Sequence, residues 1–579
     1  MNLSRRGRIL LLMICALAML PATSAGAGGE DPTLLEAVAS PASRAAPWSA
    51  WQASGPVLPL SLDAEVSVHP DWSRLQVEAR LSFRAETDSE VVEFLLRPEV
   101  ELGTVEDANG LPLAYERIAE AVLIHCPTLV PGATEVWSFK YSVRLSRPLA
   151  ELDGFYTANP WYPYVSSPNE DDEFLRSVPI VARISVRVPD PWVAISSGHL
   201  SVAEDSERDR YVWTQARPSP FHPLIVGRFR RLEIRSGGVL GRGFFSEEHA
   251  EIGEEFVRTS LAIIEFYART IGSYDRADFS IVEAVLPSRL HGLTLPGLTI
   301  VSTEDVDRSS PFPYRILAHE IAHNWWSILV EFPRRTDYWL REGLPTYSAL
   351  MFLESTYGAE AMRQELSRSR SIALGAEEPQ PLTLGIDMQD GASSYALNYH
   401  KAAFVLHMLR NLLGRERFVE LLRQFSTTYS DSSASTQDFR RMAEEVYGGS
   451  LEWFFAGWIE AAEIPRFELR YEILENADVT TPTHQIVGTL QQHDASIEGP
   501  ALLRIRLVGA PPLEHVVWLE AGTTRFSVIC PAPPESLEFD PHGDLLYSIA
   551  TIEQMETGRP RPRRSTPESS RARDTGRPR

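Results

Sequence analysis

Cysteine is nearly absent from this sequence, with Cys15, Cys126 and Cys530 the only three in 579 residues. That scarcity excludes a disulfide-stapled scaffold and any cysteine-rich metal site. Positive charge is short as well: 55 Lys and Arg face 78 Asp and Glu, a net −23 that argues against a nucleic-acid partner. Long apolar runs are missing but for one, Ile9 to Leu20, which is too short to span a bilayer comfortably. No internal repeat is present. What remains is an acidic chain of ordinary apolar content, long enough for about three domains.

The one apolar run has a recognisable setting. Arg5, Arg6 and Arg8 precede it, Pro21 ends it, and Ala25-Gly26-Ala27 offers a small-residue cleavage site. Charged start, short apolar core and small-residue exit read as a secretory signal peptide over residues 1–27. A retained N-terminal anchor is the alternative. The expected location is therefore secreted or periplasmic, with no stable transmembrane segment after cleavage. Cys15 would leave with this segment, and Ile14 before it argues against lipid attachment. Cys126 and Cys530 could then pair or stay as buried free thiols.

Residues 28–50, rich in Ala, Pro and Ser, read as a linker. Over 51–236 apolar and polar residues alternate, as in "LQVEARLSFRA" and "VARISVRVP", between Pro, Gly, Asp and Asn turns. Strands recurring without helices predict an antiparallel sandwich or saddle. The acidic run Asn169–Glu173 interrupts it and reads as a solvated loop, with a cation site as the sharper alternative. Helical spacing takes over in "EEHAEIGEEFVRTSLAIIEFYART". It returns over Tyr314–Ile328, Arg341–Tyr357 and His400–Leu413 and in three later segments, within a domain expected over 237–465. Strand patterning resumes over 466–550, and the Arg/Pro/Ser-rich tail 551–579 reads as disordered. Its arginines could dock on an anionic surface.

The chemistry concentrates in "HEIAHNWW", His319 to Trp326. On a helix His319 and His323 share one face a turn apart, so two imidazoles can hold one cation. Glu320 stands beside the first histidine, where its carboxylate can serve as general base to a water without ligating the metal. Catalytic zinc takes three protein ligands and keeps one place open. Glu342, in "WLREGLPTY", follows His323 with eighteen residues between them and would complete a His2Glu site for one Zn2+ per chain. A helix that merely carries two histidines is the plain alternative, and burying them unsatisfied would be costly.

These blocks together resemble the membrane-alanyl-aminopeptidase family of gluzincin metallopeptidases, which also contains leukotriene hydrolase. "YHKAAFVLHML" is similar to that family's Y-x-K-G-A motif, and the resemblance implies that Tyr399 is the catalytic tyrosine, with Tyr395 its nearest rival. "QDFRRMAEEVYGGSLEWFFAGWIEAAEIP" and "EFDPHGDLL" fit as well. The resemblance runs over about 60–550 and is strongest over 280–465. It implies an α+β multidomain fold: an N-terminal β saddle, a thermolysin-like mostly helical catalytic domain and a small C-terminal β sandwich.

The pattern breaks at one place. Relatives carry G-x-M-E-N on an edge strand, whose Glu pairs with the α-amine of the substrate. Here the stretch is "LHGLTLPGLTIVS", with Leu293, Thr294 and Leu295 in place of Met, Glu and Asn. Thr294 and Gly292 are the expected substrate-facing residues. A hydroxyl is no counter-charge for an ammonium group. Two smaller departures are Ser327-Ile328, where relatives often have Gly-Asn, and Thr346, which could hydrogen-bond a ligand or be an ordinary helix threonine. The expectation is an exported zinc metallopeptidase for peptide or protein substrates with altered recognition of the N-terminal amine, acting from the chain end or internally. The alternative is an inactive pseudo-peptidase whose zinc fold serves as a binding module.

Overall fold

The computed structural model describes residues 55–555, apart from 70, 72–73, 146–153, 158–159, 167–176, 203–209, 287–290, 308–313, 376–378, 386–390, 477–482 and 496. The expected signal peptide, linker, acidic run and almost all of the tail lie outside the described residues. The chain divides into two compact units, one running through Ala462 and one from Glu463 onward.

The first unit opens with a seven-stranded sheet ordered His199–Val202, Arg210–Ser219, Ile180–Arg187, Val57–Val68, Arg74–Ala85, Thr134–Arg144, Val100–Glu106. Strict alternation forms these strands: every second residue of Arg74–Ala85, from Leu75 to Phe83, is buried and the others face outward. Most pairs are antiparallel, as strands recurring without helices suggested. Val57–Val68 and Ile180–Arg187 instead run parallel, Ser61 opposite Val181. That departs from the antiparallel expectation for a simple reason: a period of two is the same for either direction, and only the long connection tells them apart.

A five-stranded sheet follows, ordered Arg230–Ser236, Val239–Phe245, Asp278–Ala284, Leu298–Ser302, Gly292–Leu295, with the last strand antiparallel at the edge. Phe244, Val282, Leu298 and Ile300 of this sheet share one apolar core with Leu81, Phe83, Trp137 and Phe139 of the first. At about 1.5–3 kcal/mol per buried large side chain, this shared core makes the two layers one body. Helix Ala250–Thr270 covers the sheet with Phe256, Val257, Leu261, Ile264 and Tyr267, the three-and-four spacing of an amphipathic face.

The histidine helix spans Tyr314–Ala322, shorter than the expected Tyr314–Ile328. Its end tightens into i→i+3 bonds, from His323 N to Glu320 O (3.1 Å) and Asn324 N to Ile321 O (3.0 Å), and Ser327 then adopts φ 92°. The glutamate helix spans Tyr338–Tyr357 and is buried along nearly its whole length. The expected helix at His400–Leu413 starts earlier, with Gly391–Tyr395 leading into a π-helical turn, Ala396–Lys401, and then Ala402–Leu413.

The second unit holds two sheets, ordered Thr523–Cys530, Thr483–His493, Arg466–Asn476, Ala550–Gln554 and Ala510–Leu519, Gly499–Leu507, Pro534–Phe539. Phe467 of the first and Phe539 of the second meet at 5.0 Å between ring centres, so the sheets face one another as a sandwich. Cys126 and Cys530 are free thiols. Among the described residues no helix is long and apolar enough to cross a membrane.

Candidate metal centre and cleft

Three anchors fix the histidine helix. The Tyr267 hydroxyl donates to Ala318 O (2.9 Å), Trp325 Nε1 to Gly272 O (2.8 Å) and Trp326 Nε1 to Ser348 Oγ (3.0 Å). Both tryptophans are almost fully buried, so an unmade bond there would cost about 1–3 kcal/mol. The Trp-Trp pair therefore locks the helix onto its neighbours. It also ties the helix through Ser348 to the helix that carries Glu342.

The three expected ligands come together. His319 Nε2 and His323 Nε2 are 3.2 Å apart, and Glu342 Oε2 lies 3.5 Å from the first and 3.6 Å from the second. The opposite ring nitrogens set the tautomers. The Thr346 hydroxyl donates its one proton to Glu342 O (2.7 Å), so His319 Nδ1, at 3.1 Å from Thr346 Oγ1, is the donor to that hydroxyl. His323 Nδ1 points at Trp326 O (3.1 Å), an acceptor only. Both Nε2 atoms are thus bare lone pairs turned toward each other, and no proton joins them. Glu342 Oε2 is buried without a hydrogen-bond partner.

Three lone pairs aimed at one point repel one another, unless a cation takes the point. Zinc bonds of about 2.0–2.1 Å in tetrahedral geometry place their donors about 3.3 Å apart, which matches this triangle. The donors are nitrogen and oxygen, with no thiolate. The site's electrostatics agree with that set. Burial pushes the Glu342 carboxyl up, but His323, His319 and Arg341 together pull it down to about 2. Burial lowers His323 to about 4 against the opposing pull of Glu342. The ionised carboxylate and neutral imidazole are the forms that ligate a metal.

Glu320 is buried beside the triad. Burial foremost, with the charge of Glu342, raises its pKa to about 7, against the pull of His319, Thr294 and His291. Tyr399 projects from the π-helical turn, its ring stacked on His319 at 5.5 Å and 5.0 Å from Tyr395. Burial and the charge of Glu342 push its pKa well up, so the hydroxyl stays protonated. Such single-turn widenings of a helix recur at functional sites.

All these groups open on one cleft of about 270 Å3. Its opposite wall is the edge strand Gly292–Leu295. The Thr294 hydroxyl donates to Glu320 Oε2 (3.1 Å). Gly292 lies so close to Glu320 that an added Cβ would come within 2.6 Å of its Cγ. Sequence reasoning missed part of the lining: Phe221, Glu331 and Arg341 also face the cleft. Arg341 stands next to Glu342 and was open to notice; Glu331 and Phe221 sit in stretches with no motif.

The profile described as "Peptidase family M1 domain" matches residues 302–458, the segment that carries the triad and Tyr399. Aminopeptidase M1-D of Oryza sativa subsp. japonica is 29% identical over 154 residues, covering 26% of this chain and 18% of that protein. The chain therefore spans about a fifth of the length of that curated relative. Leukotriene A-4 hydrolase of Xenopus laevis is similar over a longer reach, 26% identical over 462 residues, with 72% of this chain and 73% of that protein covered. A crystal structure of Legionella pneumophila aminopeptidase A in complex with aspartic acid superposes with a TM-score of 0.67 over 86% of this chain and 60% of that one. At 14% identity that likeness speaks for the fold, an α+β multidomain architecture with β-rich ends and a helical centre.

Proposed function

We propose that this chain, an aminopeptidase-like protein of the M1 peptidase family, is an exported zinc metallopeptidase that cleaves peptide bonds with altered recognition of the N-terminal amine. One observation carries the reading. Two bare imidazole nitrogens and an orphaned carboxylate oxygen converge beside a buried carboxyl whose pKa lies near neutrality.

His319, His323 and Glu342 would hold the Zn2+, and Thr346 and the Trp326 carbonyl keep the imidazoles aimed. Bound there, zinc supplies Lewis acidity toward water and the scissile carbonyl. Glu320 takes a proton from the attacking water and returns it to the leaving amine, and its burial makes it a stronger proton acceptor than an exposed carboxylate. The protonated Tyr399 hydroxyl donates a hydrogen bond to the oxyanion that develops on the carbonyl.

The altered end recognition rests on Thr294. The family's amine-binding Glu would stand there, and its place is taken by a hydroxyl already engaged with Glu320. Export rests on the Arg5–Ala27 pattern, and sequencing the N-terminus of the mature protein tests it.

The function is tested by incubating metal-analysed protein with free and N-acetylated forms of one peptide. Hydrolysis of both supports the reading. Cleavage confined to the free form would remove the relaxed amine recognition. Bound zinc without turnover across a broad peptide library would leave the fold as a binding module.

A further inference from the structure

We infer that the edge strand beside the triad holds the base: Thr299 and Thr294 form a directed hydroxyl relay ending on Glu320, and Thr294 is a positioning residue for that carboxylate. This rests on reading Glu320 as the proton-transfer group. Thr294 and Thr299 are direct partners across the antiparallel pair, with their hydroxyl oxygens 3.0 Å apart. Thr294 Oγ1 lies 3.1 Å from Glu320 Oε2. In the base form that takes up a proton Glu320 is ionised and only accepts, so in that form the single Thr294 proton goes to Glu320. Thr299, fully buried, must then donate to Thr294. The direction of the relay follows from the inventory of protons.

The strand is shaped for this task at a second point. Residues two apart on a strand share a face, and Gly292 is two before Thr294. An added Cβ at Gly292 would stand 2.7 Å from Glu320 Cδ and 2.9 Å from its Oε1. Gly292 thus gives Glu320 room while Thr294 bonds its other oxygen. The turn of the hairpin is tied to the histidine helix as well: Gly297, at φ 73°, donates its N–H to Asn324 Oδ1 (3.2 Å). The hairpin and the helix that carries Glu320 are joined at both ends of the contact.

The experiment compares Thr294→Val, Thr294→Ser and Thr299→Val in the zinc-loaded full chain on one N-acetylated peptide. A hydrogen bond to a charged group predicts that Thr294→Val lowers kcat about ten- to hundredfold, with KM within about twofold. Zinc content stays at the wild-type level. Thr294→Ser restores most of the rate, and Thr299→Val loses less than Thr294→Val. An unchanged kcat in Thr294→Val, or a Thr294→Ser as slow as the valine variant, would overturn the relay. If the wild type hydrolyses no peptide, the proposed function fails instead, and thermal unfolding of the metal-free protein tests the relay. Thr294→Val should then lower the melting temperature in the wild type and not in a Glu320→Leu background. Equal losses in both backgrounds would sink it.

Discussion

The two walls of the cleft differ in what they hold. On one side, His319, His323 and Glu342 converge, and each imidazole is held from behind, by Thr346 or by the Trp326 carbonyl. On the other, the edge strand Gly292–Leu295 carries Leu293, Thr294 and Leu295 where the family resemblance calls for Met, Glu and Asn. The first wall's ligands work only as a set, because three donors must meet at one point to hold one cation and keep a place open. The second can lose its carboxylate and still pack, since a hydroxyl can bond Glu320 and the strand pairing does not depend on the side chain. On the proposed reading, the means of cutting and the means of choosing an end are physically separable.

The largest expected effect breaks the first wall's chemistry without its packing. Glu320→Gln keeps the side chain's shape and removes its capacity to take a proton, so kcat should fall about 10^3-fold with zinc still bound. Hydrolysis at the wild-type rate would show that another group moves the proton. Next, Tyr399→Phe removes the donor that the proposed mechanism gives to the developing oxyanion. Loss of such a donor costs about 10^2–10^3 in kcat, and KM should change little. Single-turnover kinetics on one peptide measure both.

Thr346→Val sharpens the comparison from behind the metal. It removes the hydroxyl that fixes the His319 tautomer while keeping a β-branched side chain in a buried helix. Metal affinity should drop about 10- to 100-fold, read by competition with a chelator. Activity at saturating zinc should largely survive. An unchanged affinity would mean that His319 is oriented by its packing on Tyr399 rather than by the threonine.

Much of the first wall was legible because helix geometry is local. The spacing of His319 and His323 fixes their shared face, and the eighteen residues before Glu342 fit a known distance. Non-local features were not legible. The histidine helix stops at Ala322 ahead of the positive φ at Ser327, and the π-helical turn bearing Tyr399 packs against the glutamate helix, contacts that no local pattern announces. The alternating pattern of Val57–Val68 marked a strand but could not show that its partner Ile180–Arg187 runs parallel. The bond from Thr294 to Glu320 joins a strand to a helix, so the sequence showed only that a carboxylate was missing there, not what the hydroxyl does instead.

The smallest effect is the one that bears most directly on the comparison. Thr294→Glu puts a carboxylate back where the resemblance expects one, and removes the hydroxyl that bonds Glu320. Two buried carboxylates side by side repel, so the absolute rate should fall on every substrate. A substrate with a free α-amine brings a positive charge into that pair and relieves it, whereas an N-acetylated one does not. A charge-assisted bond of about 1.5–3 kcal/mol predicts that the ratio of free to acetylated cleavage rises about tenfold or more over the wild type. The measurement is kcat/KM for the two forms of one peptide. If the ratio stays flat while zinc remains bound, a carboxylate at this position does not read the amine in this cleft. The two walls would then differ by more than one side chain, with Arg341 and Glu331, both facing the cleft, as the next residues to exchange.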